Sequence, residues 1–285
     1  MLLFLSLRIY VSAFLHQAVL ATREIINVLQ QNEHSLYALH NVGAGGDVSI
    51  GADLLSERIY AEHLLPLASI DSEESGFLQG NGSDTIVLDP LDGSDNFLSH
   101  IPYYGSSLAL YDASGEVKEA VIFNFCTKEA FARIRTDENT IAIHFHIESY
   151  LDEIQAKLHK NLSFIESRGS VIANAHDIKA FRLLQSTSVS KCGLFEKAYC
   201  NPKIAESLYE KRLKFRSLGA SALSMAKAYE VNFMLFVGKI RDFDSKAGLF
   251  LCEPLHCIST DKFTLISKDK HIFDTISHIF MEHKG

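Results

Sequence analysis

The stretch DTIVLDPLDGSDNF, Asp84 to Phe97, sets an apolar run, Ile86-Val87-Leu88, directly against Asp89, Asp92 and Asp95. A short run of this kind reads as a buried strand, Thr85–Leu88, with a turn after it. Carboxylates at the mouth of a buried strand need compensation, because a charge that loses water must be paired or must hold a metal.

Four readings compete for the acidic turn. An EF-hand calcium loop needs Asp or Asn at positions 1, 3 and 5 with Gly at 6. Here the acids stand at 1, 4 and 7 and Gly93 at 5, which excludes that loop. A phosphatase with an aspartyl nucleophile places its second Asp two residues on, keeping both side chains on one side of a strand end. Asp89 and Asp92 are three apart with Pro90 between them, which argues against it. The plain alternative is a solvated turn, since turns favour Asp, Gly, Ser and Pro. The fourth reading is a multi-metal site, in which hard Mg²⁺ ions take carboxylate oxygens that converge from a rigid turn. Pro90 stiffens such a turn, and Gly93 lets backbone N–H groups at a helix start approach a phosphate.

Charge bears on this choice. The 285 residues carry 27 Lys and Arg against 35 Asp and Glu, a net charge of -8. That field repels nucleic acid, anionic membrane and any phosphorylated substrate, unless cations are bound locally. With 47% hydrophobic and 22% charged residues the composition is that of an ordinary globular protein. Neither a repeat nor a long linker asks for a cut, so one domain over residues 1–285 is expected. The five cysteines form no CxxC pair and read as reduced thiols of an intracellular protein. The apolar start, residues 1–31, is interrupted by Arg8 and lacks an A-x-A site, so it reads as one or two buried helices, with a signal or anchor as the alternative. The cytoplasm is the expected compartment.

Further along, NVGAGGDVSIGAD reads as a glycine-rich loop or hairpin, and Leu54, Leu55, Ile59, His63 and Leu64 have helical spacing up to Pro66. YGSSLALYD and EAVIFNF read as strands, as does TIAIHFHIESY, whose His144 and His146 share a face. A metal pair there is conceivable, and a wet sheet face is the plainer reading. Amphipathic helices are expected in SYLDEIQAKLHKNL, NPKIAESLYEKRLK and DKHIFDTISHIFMEH, and a buried one in ASALSMAKAYE. GAGGDV misses the dinucleotide fingerprint, because Val48 holds the last glycine's place. The basic run Lys211, Arg212, Lys214 and Arg216 reads as a solvated edge or an aid to a second phosphate, and Tyr103 and Tyr104 as packing residues.

A metal site needs further acids. Asp47 and Asp53 lie in GGDVSIGAD, Glu73 and Glu74 in DSEESG where a strand would end, and Asp242 and Asp244 ahead of an apolar helix. The set D-x5-D, E-E-S, D-P-L-D-G-S-x-N-F and [WF]-D-x-x-A-G, with FRSLGASALSMAKAY between, resembles the inositol monophosphatase family. These are Mg²⁺-dependent, lithium-sensitive phosphatases, related to fructose-1,6-bisphosphatase and the nucleotide 3'-phosphatases. The match covers roughly residues 40–125 and 214–275, whereas 127–210 match poorly.

The resemblance implies an α/β fold, a layered αβαβα sandwich, and a homodimer. It makes Glu73, Asp89, the Leu91 carbonyl, Asp92 and Asp244 ligands of two or three Mg²⁺ ions, with Asp89 bridging. Gly93 and Ser94 would present N–H groups to the phosphate, with Ser221 beside them. The Ser94 hydroxyl, backed by Asp53 and with Glu73, would activate the attacking water, and Asp47 and Glu74 would support the ligands. The implied reaction is direct hydrolysis of a small sugar or inositol phosphate by metal-activated water, with no nucleic acid or membrane partner. A fructose-bisphosphatase-like or nucleotide 3'-phosphatase activity is the alternative, and a non-catalytic scaffold the alternative of another class. Several positions depart from the family pattern. Val42 stands near a usual Lys, Val237 at a Glu that contacts inositol, Ser221 at a frequent Ala, Asp95 at a Thr or Ser, and Phe243 at a Trp. The alcohol-recognising side is therefore not that of an inositol phosphatase.

Overall fold

The structure is a computed structural model and describes residues 11–136, 139–160, 179–186 and 189–282. The first ten residues of the apolar start, and residues 137–138, 161–178 and 187–188 of the poorly matching segment 127–210, lie outside the described residues. From Ser12 the start is a helix, α1 (Ala13–Leu29), whose Phe14, Leu15, Ala18, Val19, Ile25 and Ile26 are buried at helical spacing. A hairpin, β1 (Leu39–Val42) and β2 (Val48–Ile50), leads into α2 (Gly51–Leu64). Then come β3 (Ser69–Ser72), β4 (Gly76–Leu78) and β5 (Thr85–Asp92), a short α3 (Ser94–Leu98), and β6 (Gly105–Tyr111). The run β7 (Val117–Asn124), β8 (Glu129–Arg135), β9 (Thr140–His146), α4 (Ile147–Lys160) and β10 (Arg182–Leu183) follows. The last third holds β11 (Gly193–Glu196), α5 (Pro202–Glu210), β12 (Phe215–Arg216), α6 (Ser221–Ala226) and β13 (Met234–Val237). It closes with α7 (Asp242–Cys252), β14 (His256–Ser259), β15 (Phe263–Ser267) and α8 (Lys270–Glu282).

Burial sorts these elements into five layers. An eight-stranded sheet, in the order β10-β9-β8-β7-β6-β5-β3-β4, is antiparallel except for β3 beside β5. One face buries its apolar side chains against α1, α2 and α4. Its other face, through Ala109, Ala120, Ile122 and Phe131, packs on α6 and α7. Those two helices also cover Met234, Phe236 and Ile266 of a five-stranded sheet in the order β12-β11-β13-β15-β14. The outer face of that sheet is closed by α5 and α8, through Ile204, Leu208, Ile276 and Ile279. The αβαβα order expected from the resemblance is thus present. Helix α7, in the central layer, is tied to β8 by buried Arg133, which donates to the Phe250 carbonyl at 2.5 Å and pairs with Glu253 at 2.7 Å.

Two expectations change. Strand β5 does not stop at Leu88 but runs to Asp92, and Ile86 to Asp92 are all buried, because helices cover both faces of the sheet. Asp242 and Asp244 lie not ahead of α7 but in its first turn, where the helix dipole favours carboxylates. Among the described residues no helix is long and apolar enough to cross a membrane.

The start of α1 is tied to a half-buried acid on β7. Ser12 caps the helix by accepting from the Leu15 N–H at 3.0 Å and donates its hydroxyl to Glu119 Oε2 on β7 at 2.5 Å. Burial pushes the Glu119 carboxyl from its ordinary 4.5 up to about 7, with the Ser12 bond and Lys118 opposing it. The folded chain therefore keeps a proton that the unfolded chain releases above pH 4.5. Stability is whole below that pH and is lost as the pH rises to about 7. Glu119→Gln should abolish this slope. Allowing for the residue's partial exposure, it should be more stable than the parent above pH 7 by about 1–3 kcal/mol. Denaturant melts from pH 4 to 8 check this, and parallel curves for the two proteins would refute it.

Candidate metal centre

The central strand supplies the first two acids through a defect in its own ladder. Residues three apart on a regular strand face opposite sides. Between Asp89, opposite Ser107, and Asp92, opposite Gly105, β5 carries one residue more than β6, which is a β-bulge. The bulge turns both carboxylates to one side, and it accommodates Pro90, which has no N–H for a ladder. Gly93 follows with φ +94, in the left-handed region. A Cβ there would meet the Tyr103 carbonyl at 3.0 Å and Ala220 at 3.1 Å, so glycine is required.

The third acid comes from the central layer. Carboxylate oxygens of Asp89, Asp92 and Asp244 lie within 4.8 Å of one another, in residues only 2%, 5% and 5% exposed. The solvated-turn reading is thereby overturned. Asp89 Oδ2 and Asp244 Oδ1 are buried with no hydrogen-bond partner among the described residues. Burial first, then mutual repulsion, pushes Asp89 and Asp92 well above the usual carboxylate range. Glu73, at the turn after β3, is pushed up to about 8 by burial, with Arg241 opposing and Asp244, Glu74 and Asp53 adding to it. Orphaned oxygens on crowded, buried acids fit a hard divalent cation, which would satisfy the lone pairs and reverse the repulsion.

The remaining expected residues converge on the same place. A cavity of about 680 Å³ is lined by Asp47, Asp53, Glu73, Glu74, Leu91, Asp92, Gly93, Ser94, Ser221 and Asp244, among others. The Ser94 hydroxyl lies 2.8 Å from Asp53 Oδ1 and 3.0 Å from the Leu91 carbonyl, with one proton to donate. Asp53 is fixed in the first turn of α2 by the Ile50 N–H, 2.7 Å from its Oδ2. Burial pushes Asp53 up to about 7, against that amide. Glu74 accepts from the Ser49 hydroxyl, whereas Asp47 is exposed and touches Arg241. Ser221 gives its N–H to Asp92 at 2.9 Å, and Leu223 gives its own to the other oxygen at 2.9 Å.

Other expected sites lie elsewhere. His144 Nε2 donates to Glu129 Oε1 at 3.1 Å and its ring stacks on Phe131, while His146 is exposed, so the strand-face reading holds. Arg212, Lys214 and Arg216 of the basic run line a separate cavity. Tyr103 and Tyr104 pack, on Ser224 and against Phe97 respectively. Val237 packs toward the outer core of the small sheet, and its neighbour Phe236 faces the cavity instead.

Three residues with no motif of their own, Glu57, Glu196 and Arg241, complete the site together with Asn96 of the D-P-L-D-G-S-x-N-F motif. Glu57 on α2 holds the Ser75 N–H at 2.9 Å and so fixes the E-E-S turn. Buried Glu196 accepts from the Leu218 and Gly219 amides at 3.2 and 2.8 Å and from Ser224 at 2.6 Å. Asn96 donates to the Tyr103 and Leu218 carbonyls, both at 2.7 Å, so α3 and the start of α6 are locked together. Arg241, the residue before α7, bonds to Glu73, Asp47 and Asp244 at once. A lone acid ending an apolar strand, as Glu196 does, is the one signal in the sequence that could have flagged this set.

Known proteins share both pattern and fold. The model of the inositol monophosphatase family matches residues 11–262. A Nus factor SuhB of Xylella fastidiosa is 36% identical over 121 residues, 41% of this chain and 43% of that protein. A fructose-1,6-bisphosphatase/inositol-1-monophosphatase of Thermococcus kodakarensis is 38% identical over 84 residues, 28% and 33% of the two chains. The chain thus spans less than half the length of these two curated relatives. The Nus factor SuhB of Escherichia coli K12 matches at 25% over 87% of this chain and 84% of its own. Among solved structures, the suhB extragenic suppressor protein of Bartonella henselae superposes with a TM-score of 0.65 at 17% identity, covering 93% and 96%. The IMPase of Thermotoga maritima does so at 0.63 and 18%, covering 94% and 98%. With the family's pattern matched from residue 11 to residue 262, the chain belongs to the inositol monophosphatase family.

Proposed function

We propose that the chain is a Mg²⁺-dependent phosphate monoester hydrolase acting on a small sugar phosphate. The observation that carries this is the trio Asp89, Asp92 and Asp244, buried within 4.8 Å with two orphaned oxygens, beside the Ser94–Asp53 pair. In this reading Glu73, Asp89, the Leu91 carbonyl, Asp92 and Asp244 hold the ions. Bound Mg²⁺ supplies charge that polarises the phosphoryl group and stabilises the leaving oxygen. The Ser94 hydroxyl orients the attacking water, and Asp53, lifted by burial into the range of a base at neutral pH, draws the proton through it. Gly93 and Ser94 face the phosphate. A homodimer and a small-molecule substrate belong to this reading, as the resemblance implies.

The outer wall supports the bisphosphate alternative over an inositol phosphate. Lys197, Tyr199, Phe236 and Lys239 line it, with Lys197 Nζ 5.5 Å from the Phe236 ring centroid. Neither lysine has an acidic partner among the described residues, and both are exposed. Two unpaired cations opposite an acidic floor suit a substrate with a second anionic group. On a panel with Mg²⁺, fructose-1,6-bisphosphate should exceed inositol-1-phosphate in kcat/KM. Lys197→Ala should raise KM for the bisphosphate about tenfold, in line with one hydrogen bond to a charged group, and leave the inositol ester unchanged. Inositol-1-phosphate as the best substrate would overturn this choice. The relatives named Nus factor SuhB favour a second reading, a regulatory protein that keeps the fold. Absence of phosphate release from every ester would establish that second reading over the first.

Asp92→Asn tests the chemistry. Removing one negative charge from the ion-holding set should lower Mg²⁺-dependent kcat on the order of a thousand-fold. The amide can accept from only one of the Ser221 and Leu223 N–H groups, so stability should also fall by about 1–3 kcal/mol. Thermal melts and phosphate release, measured together, separate the two effects. A variant that melts lower but turns over normally would reduce Asp92 to a brace for α6.

A further inference from the structure

Arg241 does not support the acids from behind; it reaches over their open side. Its backbone is extended just before α7, which aims the side chain across the cavity mouth. One guanidinium nitrogen, Nη1, donates to Glu73 Oε1 and to Asp47 Oδ2, the latter at 2.8 Å, while Nε donates to Asp244 Oδ2 at 3.1 Å. Glu73 and Asp244 are two of the residues assigned above to hold Mg²⁺. A guanidinium keeps its charge at every accessible pH and presents fixed, planar donors. While it sits there, two carboxylate oxygens are engaged and a positive charge stands within contact distance of any incoming cation.

The arrangement also has an exit. The Arg241 side chain is 37% exposed, against 9% for Glu73 and 6% for Asp244. Its third partner, Asp47, is 81% exposed, so a guanidinium released from the two inner acids still has an acid to rest on at the solvent side. Moving between them needs side-chain rotation only. The inner end of the site is left incompletely served, because Arg241 reaches neither Asp89 Oδ2 nor Asp244 Oδ1.

We propose that Arg241 is a resident counter-ion that competes with Mg²⁺ for Glu73 and Asp244, and so sets the metal affinity of the site from within. The inference rests on the phosphatase reading, yet its test is separable from it. A plain structural strut would contribute stability without opposing the metal. A competing cation opposes it, and its removal must tighten binding.

The test is isothermal titration of Mg²⁺ into EDTA-stripped, dialysed protein, for the parent, Arg241→Gln and Arg241→Lys. Arg241→Gln should bind Mg²⁺ at least about tenfold tighter than the parent, because a full charge leaves the site. Arg241→Lys keeps the charge but loses the fork, and should fall between the two. Without Mg²⁺ the Gln variant should melt below the parent, and saturating Mg²⁺ should close that gap. Equal or weaker Mg²⁺ affinity in the variants would overturn the proposal. Should Arg241→Gln fail to fold without metal, Arg241→Lys decides alone, an unchanged Kd refuting the proposal. A parent and variants that all take up no Mg²⁺ would instead strike at the phosphatase reading itself.

Discussion

Everything at the candidate site follows from holding three carboxylates together where water cannot screen them. Left to themselves, such groups repel and protonate rather than converge. The chain imposes the convergence from two layers of the fold. The bulge in β5 turns Asp89 and Asp92 to one side, and the first turn of α7 brings Asp244 over them. Neither element can relax away, because β5 is flanked by β3 and β6 and α7 is packed between two sheets. The repulsion is thus held by burial elsewhere, as expected of a site organised to bind charge.

The supporting contacts show the same division of labour. Asp92 takes both of its amides from the start of α6, so the strand and the helix position each other. Glu196 and Asn96 then fix the segment just before α6, from β11 and α3 respectively. Two stretches far apart in sequence, Asp92 with Asn96 and Glu196, therefore meet at the 218–224 segment. A small shift in either of them would move Asp92, which explains why so many buried polar groups are spent on one short helix.

The candidate ligands were legible in the sequence because each sits in a compact local pattern with a chemical reason for its spacing. Asp89, Asp92, Gly93 and Ser94 fall in six residues, and Glu73–Glu74 and Asp244 each adjoin a recognisable element boundary. The helices α1, α2, α5 and α8 were legible too, from one-sided burial at helical spacing. Strands β11, β13 and β15 were not, because they are short, buried on both faces and carry no period-2 alternation. The end of β5 was misplaced for a related reason, since Asp and Pro signal a turn locally and only the neighbouring strand reveals the bulge. Arg241, Glu196 and Glu57 escaped notice because their roles consist of long-range contacts, 168 residues apart in the case of Arg241 and Glu73.

The same limit bears on the alcohol side of the substrate. The resemblance sets Val237, seven residues before Asp244, at a glutamate expected to contact inositol, and that count treats the intervening chain as a ruler. In the fold that position lies on β13, where successive side chains alternate faces. Phe236 looks into the cavity and Val237 into the outer core. A glutamate at 237 on this backbone would sit against the apolar cluster under α5 and α8. The cavity wall at this point is built from Phe236, with Lys197 above its ring, and from Lys239 beyond β13. An apolar ring flanked by unpaired ammonium groups recognises negative charge on a carbon skeleton better than a ring of neutral hydroxyls, which would leave the ammonium groups without partners.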